Sequence, residues 1–107
     1  MPDTRLEVRY KKRLSVRFGH CELEHIGYTS DVSTQGLFVE ARAVYKPGVV
    51  LNIELKTRDG EITLLQGEVR WAKKAPARAN RLMKSGMGIY IQKIVQGQDI
   101  FETFLSQ

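Results

Sequence analysis

The sequence predicts an all-β fold, a small six-stranded antiparallel barrel followed by a short C-terminal α-helix. Six segments alternate apolar and polar residues with the two-residue period of a half-buried strand. Turn signals such as Lys46-Pro-Gly48 and Arg58-Asp-Gly60 separate these segments. Near the C-terminus the apolar residues change to helical spacing. Short strands at close spacing with turns between them are typical of small barrels.

The strands are predicted from their own alternation. In the first, Leu14, Val16 and Phe18 alternate with polar residues, and Gly19 is expected to mark a bend before the strand continues. In the fourth, apolar residues recur at every second position from Val49 to Leu55. The six predicted strands cover residues 13–23, 25–32, 37–41, 49–57, 61–74 and 84–94.

Three details of the predicted barrel can be tested against the structure. The turn between the second and third strands contains one glycine, Gly36, which is expected to carry a positive φ. In the fifth strand the alternation puts Val69 and Trp71 on one face and Glu68 and Arg70 on the other. An apolar stripe predicts a helix packed on the barrel, and its members are Ile100, Phe101, Phe104 and Leu105.

The chain of 107 residues is long enough for one domain and too short for two. Residues 1–12 have little apolar content and are predicted to form a flexible basic arm, whereas residues 13–107 are predicted to form the barrel domain. The net charge of +5 favours anionic partners without choosing among nucleic acid, nucleotide and lipid headgroup. The positive charge is concentrated near the N-terminus, at Arg5, Arg9, Lys11, Lys12, Arg13 and Arg17.

No enzyme is expected. Ser33 lacks a Gly-x-Ser-x-Gly context, and His20 and His25 have no evident acid partner. Cys21 follows His20, and neighbours in a strand point to opposite faces, so they would not meet. One cysteine and two histidines give no zinc-site spacing, so neither a metal nor a cofactor is expected.

The chain is expected to be cytoplasmic. The first twelve residues are charged and lack the apolar core of a signal peptide. The longest apolar runs are only a few residues, so no membrane insertion is expected.

An Arg-x-x-x-Arg element, Arg9-Tyr-Lys-Lys-Arg13, directly precedes the first strand. This spacing often arises by chance in a basic segment, and it occurs here in three registers, Arg5/Arg9, Arg9/Arg13 and Arg13/Arg17. The register Arg9/Arg13 is preferred because Arg13 abuts the strand, whereas Arg17 alternates within it as a solvated residue would.

A second element, Asp31-Val-Ser-Thr-Gln-Gly36, closes the second strand. Taken alone, Asp31 and Ser33 are residue types that cap turns by bonding nearby backbone N–H groups. Trp71 is expected in the core or at the barrel rim, with ligand stacking as the alternative.

In this order and spacing, the two elements resemble the two signature motifs of the PilZ domain family. Later blocks also resemble residues that PilZ domains carry at the corresponding places. The resemblance spans roughly residues 9–94, and the later blocks are Gly36-Leu-Phe-Val39, Pro47-Gly48, Gly67-Glu-Val-Arg-Trp71 and Gly86-Met-Gly-Ile89.

The resemblance implies a six-stranded antiparallel barrel that binds the bacterial second messenger cyclic di-GMP. Arg9 and Arg13 would contact phosphates and guanine bases, and Asp31, Ser33 and Gly36 would receive a guanine edge. Candidate accessory contacts are Arg5, Tyr10, Lys12 and Trp71.

The chemistry of these residue types agrees with such a ligand. A guanidinium can chelate a phosphate, or guanine O6 and N7, through two parallel hydrogen bonds. Guanine N1–H and N2–H₂ are donors, which suits the carboxylate of Asp31, and the hydroxyl of Ser33 can donate or accept. A glycine at position 36 lets the backbone approach the ligand closely.

The sequence is therefore interpreted as a cyclic di-GMP sensor whose ligand orders the basic arm against the barrel and alters contact with a partner protein. Two alternatives remain. The first is a PilZ-type adaptor that binds protein and no nucleotide. The second is a basic barrel that binds nucleic acid non-specifically through stacking and phosphate contacts, although no specific nucleic-acid partner is expected.

Overall fold

Six antiparallel strands close into a barrel in the computed structural model, which describes residues 10–76 and 84–106. The strands are neighbours in the order β1-β2-β3-β6-β5-β4, and one helix follows them. The predicted fold class is confirmed. The elements are β1 (Ser15–Gly19), β2 (His25–Val32), β3 (Gly36–Glu40), β4 (Val50–Lys56), β5 (Ile62–Lys73), β6 (Gly86–Gln96) and α1 (Gln98–Leu105).

The alternation in the sequence becomes the inside and the outside of the barrel. In β4, Leu51, Ile53 and Leu55 are buried, and the residues between them are partly exposed. Each of the six strands contributes inward-facing side chains to one continuous core. Its buried members are Leu14, Val16, Phe18, Val32, Leu37, Val39, Leu51, Ile53, Leu55, Leu65, Val69, Met87, Ile89, Phe101 and Leu105.

The helix α1 covers part of this core. Phe101 and Leu105 are buried in the core and Phe104 packs against it, so the predicted helix packs on the barrel as expected, while Ile100 is half-buried. The helix begins after Gly97, which has a φ of 83°. In the part of the chain that the structure describes, no helix is long and apolar enough to cross a membrane.

The first strand ends earlier than the alternation predicts. It stops at Gly19, and residues 20–24 are not in a strand. The chain turns back at once, and this turn requires a glycine, since a Cβ at position 19 would lie 1.6 Å from the carbonyl oxygen of Glu22. The apolar side chains of Cys21 and Leu23 continue the pattern, but the backbone does not.

The conformation predicted for Gly36 is also wrong. Among the described residues, positive φ values occur at Gly48, Gly60 and Gly97, whereas Gly36 is the first residue of β3. A glycine is needed there for a different reason. A Cβ at position 36 would lie 2.6 Å from the carbonyl oxygen of Ile89 on β6.

A β-bulge in β5 overturns the predicted face of Trp71. Val69 pairs with Ile89 and Trp71 pairs with Gly88, so Arg70 is an extra residue in the ladder. Val69 stays in the core, but the indole of Trp71 is on the outside and 50% exposed. The bulge leaves Arg70 and Trp71 exposed side by side on the outer surface.

Candidate ligand-binding site

Four residues on neighbouring strands form a row across the barrel. Asp31 on β2 pairs with Phe38 on β3, Phe38 pairs with Gly88 on β6, and Gly88 pairs with Trp71 on β5. The rings of Phe38 and Trp71 are stacked, with centroids 5.1 Å apart and an interplanar angle of 22°. The row is thus an aromatic surface with a carboxylate at one end.

A cavity of about 490 Å³ lies over this row. The guanidinium of Arg70 lies 4.6 Å from the ring centroid of Tyr90, and its Nε is 3.8 Å from a carboxylate oxygen of Glu68. Aromatic faces, a guanidinium and a carboxylate therefore converge on one space, which suits a flat polar ligand. The side chains that define the cavity belong to Asp31, Gln35, Phe38, Arg70, Trp71 and Tyr90.

The turn after β2 is held together by Ser33, which is completely buried. Its Oγ accepts hydrogen bonds from the backbone N–H groups of Gln35 (3.2 Å) and Gly36 (3.0 Å) and donates one to the carbonyl oxygen of Gly36 (3.2 Å). The backbone N–H of Ser33 donates to the same carbonyl at 2.8 Å. In this structure the hydroxyl of Ser33 therefore caps the turn between Asp31 and Gly36, which both line the cavity.

The segment before β1 runs alongside β2. The backbone N–H of Tyr10 donates to the carbonyl of Val32 at 2.8 Å, and the N–H of Val32 donates back at 2.9 Å. The buried hydroxyl of Thr29 donates to the carbonyl of Lys12 at 2.6 Å and accepts from the N–H of Leu14 at 2.8 Å. The described part of the predicted arm is thus bonded to the strand that carries Asp31.

These bonds place Arg13 on the outer face of β2. Its guanidinium carbon lies 4.3 Å from the ring centroid of Tyr28, a cation–π contact. Tyr28 lies three positions before Asp31 in the same strand. Arg17 is elsewhere, on β1, where it contacts Glu54 at 3.5 Å.

The other candidate residues fall into two groups. Arg5 and Arg9 lie outside the residues that the structure describes. Lys12 and Tyr10 lie toward the helix: the Nζ of Lys12 donates to the carbonyl of Phe104 at 3.2 Å and lies 5.8 Å from the ring centroid of Tyr10. The cavity over the Phe38–Trp71 row is lined by neither of them.

Sequence reasoning missed Phe38, Arg70 and Tyr90 as site residues. The alternation in β6 buries Ile89 and exposes Tyr90, so this aromatic residue could have been assigned to the outer surface. The same pattern cannot show that Arg70 adjoins Trp71, because that depends on the bulge in β5. Phe38 becomes informative only once its pairing across β6 is known.

Comparisons with known proteins agree with this architecture. The family model of the PilZ domain matches residues 3–104. PilZ domains are binding and adaptor domains and are generally not enzymes. No curated protein sequence matches the chain.

Among solved structures, the inhibitor of motility of Bacillus subtilis (MotI/DgrA) has a TM-score of 0.69 and 17% sequence identity. The match covers 99% of this chain and 53% of that one, so this chain spans about half the length of the Bacillus protein. A structural likeness at this sequence identity shows a shared fold alone. Membership of the family rests on the family model, which matches nearly the whole sequence. The chain is therefore a member of the PilZ domain family.

Proposed function

We propose that this PilZ domain is a receptor for cyclic di-GMP and that binding changes its contact with a partner protein. The observation that carries the proposal is the position of Asp31 at the end of the Phe38–Trp71 surface, on the strand that also carries Tyr28, whose ring lies under the guanidinium of Arg13. A carboxylate, a stacking surface and a guanidinium are the groups that a guanine phosphodiester requires.

The guanine base would use the cavity over the row. The carboxylate of Asp31 can accept hydrogen bonds from guanine N1–H and N2–H₂. The base bound to Asp31 would then lie against Phe38 and Trp71, whose exposed faces can stack on a purine. Such stacking contributes about 1–3 kcal/mol per base to the binding free energy. Trp71 thereby keeps the accessory role, and Ser33 and Gly36 hold the turn that aims Asp31.

The phosphates would use the arginines. Arg13 is already on the outer face of β2, held there by the bonds of Thr29 and the ring of Tyr28. Arg9, four positions earlier, is proposed as the second phosphate and guanine contact on the strength of the motif alone. Arg5 is proposed only as an accessory contact.

The structural change that alters contact with a partner protein would occur in the segment before β1. Tyr10 and Lys12 connect that segment to β2 and to α1. Neutralising the phosphates with Arg9 and Arg13 would hold this segment more firmly against the barrel and alter the surface around the helix. Because cyclic di-GMP is an intracellular messenger, the proposal also puts the domain in the cytoplasm.

Isothermal titration calorimetry with cyclic di-GMP tests the binding claim. The wild-type chain should bind, and Asp31→Ala and Arg13→Ala should each weaken binding at least tenfold. Asp99→Ala is the matched control, because Asp99 is an exposed carboxylate at the start of α1, outside the cavity. Wild-type affinity in Asp31→Ala and Arg13→Ala would show that the site is elsewhere.

Competition separates the receptor from the alternatives. GTP, cyclic di-AMP and single-stranded oligonucleotides should not displace cyclic di-GMP at equal concentration. Displacement by any oligonucleotide, with an affinity that falls steeply with salt, would indicate a non-specific nucleic-acid barrel instead. A folded wild-type chain that binds no cyclic di-GMP would leave the protein-binding adaptor as the interpretation.

A further inference from the structure

A second cavity, of about 790 Å³, lies beside the proposed site on the outer face of the barrel. It is open to solvent and runs between the end of β3, the end of β5 and the start of β6. We call it the basic groove, and the side chains that define it are Arg13, Tyr28, Glu40, Arg42, Lys74 and Lys84.

The groove is strongly positive. Among the described residues that line it, four cations face a single carboxylate, that of Glu40. The other cavities that contain charged groups are more balanced. In the cavity over the Phe38–Trp71 row, Arg70 is matched by Asp31, and between the β4–β5 hairpin and α1 three cations meet Asp59 and Glu61.

Three of the four cations contact a neighbouring group. Arg13 lies over the ring of Tyr28, and the Nζ of Lys74 donates a hydrogen bond to the carbonyl oxygen of Arg42. The Nζ of Lys84 lies 3.6 Å from a carboxylate oxygen of Glu40. A cation that already lies against a neighbour loses less side-chain freedom when an anion binds.

The basic groove adjoins the proposed ligand site. Arg13, the proposed phosphate contact of that site, lines the groove, and the pairs Tyr28–Glu40 and Asp31–Phe38 lie on the same two strands. The pair between them joins two buried residues, Thr29 and Val39, so the two flanking pairs are neighbours on the outside of the barrel.

We propose that the basic groove is a phosphodiester subsite that extends the ligand site, with the phosphate oxygens received by Arg13, Arg42 and Lys84. Arginine supplies a planar fork for two phosphate oxygens, and lysine supplies a point charge. The inference rests on the proposed function, since it assigns a further group of the same ligand chemistry. The phosphate that binds in the groove is either the second phosphate of one cyclic di-GMP molecule or a phosphate of a second molecule.

The test is a titration of cyclic di-GMP into the wild-type chain and two double variants of equal charge. Arg42→Gln/Lys84→Gln removes two cations from the groove. Lys46→Gln/Lys93→Gln removes two exposed lysines that do not line it. Thermal unfolding of all three proteins checks that they remain folded, and the single variant Arg42→Gln, which leaves the Lys84–Glu40 contact intact, repeats the titration if the first double variant unfolds.

The control should match the wild type in affinity and stoichiometry. If the phosphate comes from the first molecule, the groove variant should bind at least tenfold more weakly with unchanged stoichiometry. If it comes from a second molecule, the groove variant should lose one binding step. Equal binding by the groove variant and its control would overturn the subsite and leave the proposed function standing. A wild-type chain that binds no cyclic di-GMP would overturn both.

Discussion

The indole of Trp71 lies directly over the backbone of Gly88. A Cβ at position 88 would be 2.1 Å from its Nε1 and 2.5 Å from its Cε2, so no side chain fits beneath the ring. The bulge at Arg70 turns Trp71 outward, and the bare backbone of β6 lets the ring lie flat and reach Phe38. The aromatic surface of the site thus depends on a glycine that touches no ligand in the proposed mode of binding.

Gly88→Ala is expected to displace the indole of Trp71 from Phe38. Because Trp71 is half-exposed, the ring can swing into solvent, so the stability lost should be about that of one aromatic pair, ~0.5–1.5 kcal/mol. Trp71 is the only tryptophan of the chain, so its fluorescence reports on this position alone. The emission should shift to longer wavelength, and cyclic di-GMP should bind more weakly.

Phe38→Leu serves as a second route to the same result, since it removes the stacked ring and leaves Gly88 intact. It should reproduce the emission shift. Unchanged emission and affinity in both variants would mean that the Phe38–Trp71 stack contributes nothing to the site.

Ser33→Ala is expected to destabilise the turn that carries Asp31. The substitution leaves the backbone N–H groups of Gln35 and Gly36 without the oxygen that they bond at 3.2 and 3.0 Å. An unsatisfied buried polar group costs about 1–3 kcal/mol, so the urea midpoint should fall with an unchanged slope. Thr34→Ala, one residue along and exposed, should keep the wild-type midpoint.

Binding should follow stability in this case. If Ser33 only caps the turn, Ser33→Ala should weaken cyclic di-GMP binding through a misplaced Asp31. Full stability combined with lost binding would instead indicate that the hydroxyl contacts the ligand.

The sequence predicts this fold well where side-chain pattern and backbone agree. The bounds of β2 match the predicted ones, α1 contains the predicted apolar stripe, and the alternation in β4 identifies Leu51, Ile53 and Leu55 as core residues. Prediction of the strand bounds fails where a close contact between backbone atoms determines where a strand ends. The end of β1 depends on the approach of Gly19 to Glu22, which no side-chain pattern encodes.

The candidate site shows the same division. The motif residues Asp31 and Gly36 can be found from the sequence, and both line the cavity. The conformation of Gly36 could not be predicted, because a glycine serves equally for positive φ and for close packing, here against Ile89. The position of Arg70 beside Trp71 follows only from the register of β5 against β6, since the sequence does not show which residue is the extra one in the ladder.

Thr29→Val is expected to loosen the segment that carries Arg13. Valine has nearly the same shape, but it leaves the N–H of Leu14 and the carbonyl of Lys12 without the hydroxyl that joins them to β2. The expected loss of stability is about 1–3 kcal/mol. Amide hydrogen exchange at Leu14 should speed up in the native state.

Thr103→Val makes the same chemical change at an exposed position of α1 and is the control. Exchange at Leu14 in this variant should match the wild type. Protection of Leu14 that survives Thr29→Val would mean that other bonds hold the segment.

Arg13→Gln and Arg17→Gln together determine the register of the arginine motif. The two variants lose the same charge, but Arg13 lies over Tyr28 on β2, whereas Arg17 contacts Glu54 and the carbonyl of Leu23. A bidentate arginine contact to guanine contributes about 1–3 kcal/mol, and 1.4 kcal/mol is a tenfold change in affinity. Arg13→Gln should therefore weaken cyclic di-GMP binding about tenfold or more in a titration at fixed salt.

Arg17→Gln should bind like the wild type, because its guanidinium is turned toward β4 and its loss changes only the net charge. A larger loss in Arg17→Gln than in Arg13→Gln would move the motif to the register of Arg13 and Arg17 and draw the ligand toward β1.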